Sequence, residues 1–144
     1  PLVKKLLVEK PATIPITHPQ MTRFWITLNQ AVDFVLSSLE LMEGGEIFVP
    51  KIPSMTTSDL AGVLAPGIKQ EITGVRPGEK IHETMITVDD ARNTRELADR
   101  YIVYPSFRSP ASTQGNPVGE DFVYSSDSNP EQISPETLVK MIEE

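Results

Sequence analysis

The chain has 144 residues, 39% of them hydrophobic and 23% charged, with a net charge of −7. This length supports a real core, and this balance describes a globular protein rather than a disordered one. The acidic charge argues against nucleic acid or an acidic membrane as partner, and the absence of Cys excludes disulfides and thiolate metal sites.

Residues 1–10 read as a helix, with Leu2, Leu6 and Leu7 on one stripe. The chain thus opens inside an element without a start methionine, and a fragment is expected. Lys4 and Lys5 precede only a short apolar run, so no signal peptide is read and a cytoplasmic location is expected. No run approaches the roughly 18–20 apolar residues of a spanning helix.

Residues 11–19 form a Pro-punctuated extended segment in which Ile14 and Ile16 alternate. The run Met21-Thr22-Arg23-Phe24-Trp25-Ile26-Thr27-Leu28 then reads as a strand with Arg23 in an apolar setting. Such an Arg needs an anionic partner. Thr27 and Gln30 fit a capping box opening a helix with Leu28, Ala31, Val32, Val35, Leu36, Leu39 and Met42 at helical spacing, closed at Gly44-Gly45. Residues 46–49 are a short strand, and Thr56 with Asp59 begins a short helix that Pro66-Gly67 stops.

Residues 68–75 form a strand that delivers Arg76. Pro77-Gly78 is then expected to turn the chain into a helix carrying Ile81, His82, Met85 and Ile86, a favoured place for an anion. Residues 88–99 read as a further helix or helical turn, 101–104 as a strand, 105–121 as a long surface loop and 122–124 as an edge strand. Ser134-Pro135 starts a terminal helix over 134–144.

No Gly-rich phosphate loop, Ser nucleophile elbow or metal-spaced His pair is present. His18 and His82 read as hydrogen-bonding residues rather than catalysts. Two Arg residues on separate elements, Arg23 and Arg76, suit a two-phosphate ligand, because each planar fork can hold phosphate oxygens bidentately. Glu79, in the same turn as Arg76, is placed either to accept from a ligand's hydroxyl pair or to lie on a solvated face beside Glu83.

Three ordered stretches carry a resemblance: the Met21 to Leu28 run, Gly44-Gly45-Glu46-Ile47-Phe48-Val49-Pro50-Lys51-Ile52-Pro53-Ser54-Met55, and Arg76-Pro77-Gly78-Glu79-Lys80-Ile81-His82-Glu83. Tyr124-Ser125-Ser126-Asp127 with Asn129 continues it. These resemble the inverting UDP-N-acetylglucosamine 4,6-dehydratases of bacterial surface-sugar synthesis, within the polysaccharide biosynthesis proteins. The resemblance implies an α/β fold, the C-terminal substrate-binding part of an extended short-chain dehydrogenase/reductase (Rossmann) fold. The N-terminal dinucleotide-binding domain would be absent from this chain, and NADP would be bound there.

The resemblance further implies that Arg23 and Arg76 grip the UDP pyrophosphate and that Glu79 lies at the ribose. The backbone at Ile14 and Ile16 would lie along the uracil. No catalytic residue or metal ligand is expected in this chain, and the intact enzyme is expected to be a homo-oligomer. Two other readings stand beside this one: a non-catalytic nucleotide-binding module, and a related UDP-sugar dehydratase that also epimerises C5.

Overall fold

The computed structural model describes residues 12–107, 109 and 113–143. The helix expected over residues 1–10 lies outside them. In chain order the elements are β1 (Thr13–Ile16), β2 (Thr22–Phe24), α1 (Leu28–Leu41), β3 (Ile47–Pro50), β4 (Ser54–Thr56) and α2 (Thr57–Leu64). There follow β5 (Lys69–Ile72), β6 (Thr84–Ile86), α3 (Val88–Ala91), β7 (Thr94–Glu96), β8 (Arg100–Val103), β9 (Asn116–Pro117), β10 (Tyr124–Ser125) and α4 (Pro135–Glu143). The fold is mixed α/β; among the described residues one strand pair is parallel, the other strand pairs are antiparallel, and Ser54 forms an isolated parallel bridge with Gln132.

Two compact units share the chain. One takes the described residues up to Trp25, then Pro53–Glu83 and those from Ser126 on; the other takes Ile26–Ile52 and Thr84–Ser125.

In the first unit β1 runs parallel to β5, with Ile14 opposite Gln70 and Ile16 opposite Ile72. The side chains of Ile14 and Ile16 are buried against Ala61 and Ala65 at the end of α2. Antiparallel to β2 runs β4, which passes directly into α2. The Thr56 hydroxyl accepts from the Asp59 amide at 2.9 Å and satisfies one of the helix's open donors. In α4 the Thr137 amide donates to Ser134 Oγ at 3.2 Å. Leu138 then joins Met55 and Ile133 in a core, with Trp25, Leu60 and Val63 packed on it.

The second unit holds a four-stranded antiparallel sheet in the order β3, β8, β7, β9, and the pair β6 with β10. The capping box of α1 forms as expected: the Gln30 amide donates to Thr27 Oγ1 at 3.2 Å and the Thr27 amide to Gln30 Oε1 at 3.0 Å. The orientation of α1 was not foreseen. Ser38 is buried, and the guanidinium of Arg100, 4% exposed, donates to Ser38 Oγ at 2.8 Å and Ser37 Oγ at 2.7 Å. It also lies 4.7 Å from the Phe34 ring centre. The large aliphatic residues of α1 look outward instead.

Several expected elements change. The chain after Gly78 is not a helix: residues 79–83 run irregularly into β6, so Ile81 and His82 lie in a loop and Met85 and Ile86 in a strand. Non-local bonds explain this, because Ile81 O accepts from the Thr22 amide at 3.0 Å and Glu83 O from the Ser126 amide at 2.8 Å. Of residues 88–99 only Val88–Ala91 are helical; Thr94–Glu96 pair with β8 and β9 instead. The strand expected from Met21 is confined to Thr22–Phe24, and the 105–121 loop contains β9.

One titration follows from the second unit. Hydrogen bonds from the Arg100 side chain hold the Asp99 carboxyl below its ordinary value against the opposing effect of burial, with lesser help from the charges of Arg100 and Lys51. A depressed folded pKa gives stability that is present above the unfolded value of about 3.9 and lost as pH falls through the folded one. Melting temperature is therefore expected to fall below about pH 4, and Asp99→Asn to flatten part of that acid limb in a pH series of thermal melts.

Candidate functional site

The site lies in the first unit. Arg23 leaves β2 with its side chain 23% exposed. Its Nη1 donates to Thr22 O at 2.7 Å and Ile81 O at 3.0 Å, and its Nη2 to Lys80 O at 2.9 Å. Its Nε stands 3.6 Å from Glu83 Oε1. The anionic partner expected of an Arg in this setting is thus present, but carbonyl oxygens take most of the fork. A guanidinium has five N–H donors, so with Nε facing Glu83 one Nη2 hydrogen remains without a hydrogen bond among the described residues.

Two of these carbonyls, of Lys80 and Ile81, belong to the residues that directly follow Arg76-Pro77-Gly78-Glu79. This segment is a tight turn: the Glu79 amide donates to Arg76 O at 3.0 Å, and Gly78 has φ of +82°. Pro at the second position and a left-handed Gly at the third suit a type II turn. Glu79 Oε2 accepts from the Arg76 amide at 3.2 Å, which closes the turn from the side-chain side. The Arg76 guanidinium is exposed and has no partner among the described residues. Arg23, Arg76 and Glu79 are therefore linked through one loop, and no helix N-terminus contributes there.

Behind this loop sits a buried polar chain that sequence reasoning did not single out. Thr22 Oγ1 lies 2.8 Å from His82 Nδ1 and 2.7 Å from Ser126 Oγ. Ser126 Oγ accepts from the Glu83 amide at 2.9 Å, and Ser54 Oγ donates to Ser126 O at 2.8 Å. Glu83 Oε2 accepts from the Phe24 amide at 2.9 Å. Buried hydroxyls are costly unless bonded, so these pairings hold β2, β4 and the 80–83 segment in one arrangement. Small hydroxyl residues beside Tyr124 were the available signal. His82 serves this network, and His18 Nδ1 accepts from the Gln20 amide at 3.2 Å.

Ile14 and Ile16 are placed differently from the reading of their backbone as a ligand edge. Ile16 O accepts from the Thr73 amide at 2.9 Å, and strand alternation turns Ile14 the same way, toward β5. The opposite edge of β1 presents Pro15 and Thr17. An open cleft of about 490 Å³ lies between α2 and α4, lined by Ser58, Asp59, Gln70 and Gln132 among others, and contains none of the expected site residues. Among the described residues no three His, Asp or Glu side chains gather as a metal site.

Residues 1–105 match the family described as polysaccharide biosynthesis protein. The chain belongs to that family. Over 99% of its length it is 45% identical to the UDP-N-acetylglucosamine 4,6-dehydratase (inverting) of Campylobacter jejuni subsp. jejuni serotype O:2, covering 46% of that protein. Over 62% of its length it is 37% identical to the UDP-glucose 4-epimerase of Rickettsia canadensis, covering 28% of that protein. The X-ray structure of Pen from Bacillus thuringiensis superposes with a TM-score of 0.79 at 30% identity, over 99% of this chain and 43% of that one. This member of the polysaccharide biosynthesis proteins thus spans about half the length of the Campylobacter relative. Among its described residues no helix is long and apolar enough to cross a membrane.

Proposed function

We propose that the chain is the UDP-sugar-binding portion of an NADP-dependent UDP-N-acetylglucosamine 4,6-dehydratase that inverts C5, in bacterial surface-sugar biosynthesis, acting in the cytoplasm as a homo-oligomer. The carrying observation is 45% identity to the Campylobacter dehydratase over 99% of the chain. The Arg76 turn supports it. Its exposed guanidinium can fork onto diphosphate oxygens, and the Glu79 carboxylate can accept from ribose hydroxyls. Arg23 holds this turn in place and adds its charge and one remaining N–H to the diphosphate. The base would meet the open edge of β1 at Pro15 and Thr17.

The N-termini of α1 and α2 do not fit the pyrophosphate of NADP. The helices α1 and α2 each begin at a threonine whose own hydroxyl occupies the N-terminus, with no glycine at the junction for a pyrophosphate to approach. Binding of the dinucleotide and the catalytic residues fall to the other half of the longer polypeptide. A mass-spectrometric assay of that full polypeptide with UDP-N-acetylglucosamine tests the reading. A product lighter by one water is expected. A product of unchanged mass would instead indicate an epimerase, the reaction named for the Rickettsia relative.

A further inference from the structure

Counting donors and acceptors fixes the protons of the buried chain that runs from Ser126 to His82. Ser126 Oγ accepts from the Glu83 amide at 2.9 Å, and its other side-chain partner among the described residues is Thr22 Oγ1 at 2.7 Å. Its own hydrogen therefore goes to Thr22 Oγ1. The Thr22 hydrogen then goes to His82 Nδ1, 2.8 Å away, which must be bare. The ring is thus the neutral form with its hydrogen on Nε2. A proton on Nδ1 would reverse the arrangement, because Nδ1 would then donate to Thr22 Oγ1. One hydroxyl hydrogen, of Thr22 or of Ser126, would be left without an acceptor, and these residues are only 8% and 0% exposed. A buried donor without an acceptor is costly, so the chain is complete only while the imidazole is neutral.

We propose that His82 is a positioning residue for the Arg76 turn, acting through Thr22 and Ser126, and that it loosens the turn when its ring takes up a proton. The segment after the turn is tied at two places. Arg23 and the Thr22 amide both hold Ile81 O, at 3.0 Å each, and Ser126 Oγ holds the Glu83 amide. The first tie does not titrate, because a guanidinium stays charged. The second depends on the ring. The charged groups on the elements around it are Arg23 on β2, Lys80 and Glu83 on its own segment and Asp127 beside Ser126, while β4 carries none. None of these bonds to the imidazole among the described residues. The loosened segment accepts the proton and the tied one resists it. The tied arrangement is therefore at full strength above the usual imidazole value of about 6.5 and weakens as pH falls below it. The inference deepens the functional reading by making nucleotide-sugar binding acid-sensitive, and it rests on that reading only for one of its two readouts.

Two variants of the full polypeptide remove the titration in different ways. His82→Asn places an amide oxygen where Nδ1 stood, and Thr22→Val removes the hydroxyl between the ring and Ser126. Hydrogen exchange of the peptide spanning residues 80–83 is read by mass at about pH 7.5 and about pH 5.5, on either side of the imidazole range. Comparing proteins at the same pH cancels the intrinsic effect of pH on exchange. From the higher to the lower pH, exchange in the wild type is expected to rise roughly tenfold relative to either variant. Affinity for UDP-N-acetylglucosamine, whose diphosphate diester keeps a constant charge over this range, is expected to fall roughly tenfold in the wild type and by less than about twofold in the variants. An exchange ratio between wild type and His82→Asn that is the same at both pH values would overturn the proposal. So would a wild-type affinity that falls no more than that of His82→Asn, or an acid response abolished by His18→Asn instead. A shifted exchange ratio with no binding of the nucleotide sugar at either pH leaves the positioning role standing and removes the nucleotide-sugar function.

Discussion

Replacing Arg23 by Ala in the full polypeptide is expected to lower stability and UDP affinity together. The guanidinium donates to three carbonyl oxygens, of Thr22, Lys80 and Ile81. Hydrogen bonds to a charged group contribute about 1.5–3 kcal/mol each in net terms. Partial exposure of the side chain reduces this, so a total loss of about 2–4 kcal/mol is expected. The Arg76 turn directly precedes two of those carbonyls, so its release should also weaken UDP binding roughly 10-fold or more. Lys at this position is expected to recover little, because a single ammonium cannot span three carbonyls as the planar fork does. Denaturant melts read the first effect and calorimetry the second. Full stability in Arg23→Ala would mean that these bonds do not hold the loop.

A comparable loss is expected on the other unit from Arg100→Ala. Arg100 is buried and bonded to Ser37, Ser38 and both oxygens of Asp99. Removing it leaves space beneath the Phe34 ring and strips α1 of its polar attachment to β8. About 2–4 kcal/mol is expected, combining lost charge-assisted bonds with an unfilled volume. Ser37 and Ser38 retain the Phe34 carbonyl as a partner, so the helix itself should persist. A far-ultraviolet spectrum near wild type with a melting transition shifted down would match this. Wild-type stability would mean that Arg100 does not secure α1.

What the sequence conveyed depended on how local each determinant is. The caps at Thr27, Thr56 and Ser134 were legible because each bond spans only three residues. The segment after Gly78 was not, because Thr84-Met85-Ile86 is too short to separate helical from strand periodicity, and its bonds go to residues roughly 40 to 60 positions away. Helical spacing showed that α1 is a helix, and Leu28, Val32, Val35, Leu36 and Leu39 share one face of it. Periodicity carries no information on which way such a face points, and here it points away from its own unit. At the site, the type of Arg23 and Arg76 was informative, but the division of labour between them was not. It arises from carbonyls that the irregular path of residues 80–83 brings within reach.

Calorimetric titration of UDP into the full polypeptide and its Arg76→Ala variant tests the diphosphate reading most directly. The Arg76 side chain has no partner among the described residues, so its loss should leave the melting temperature unchanged while affinity falls roughly 10- to 100-fold. Glu79→Gln should cost less, since the amide oxygen still accepts a hydroxyl hydrogen bond. Undiminished UDP affinity in Arg76→Ala would contradict the account.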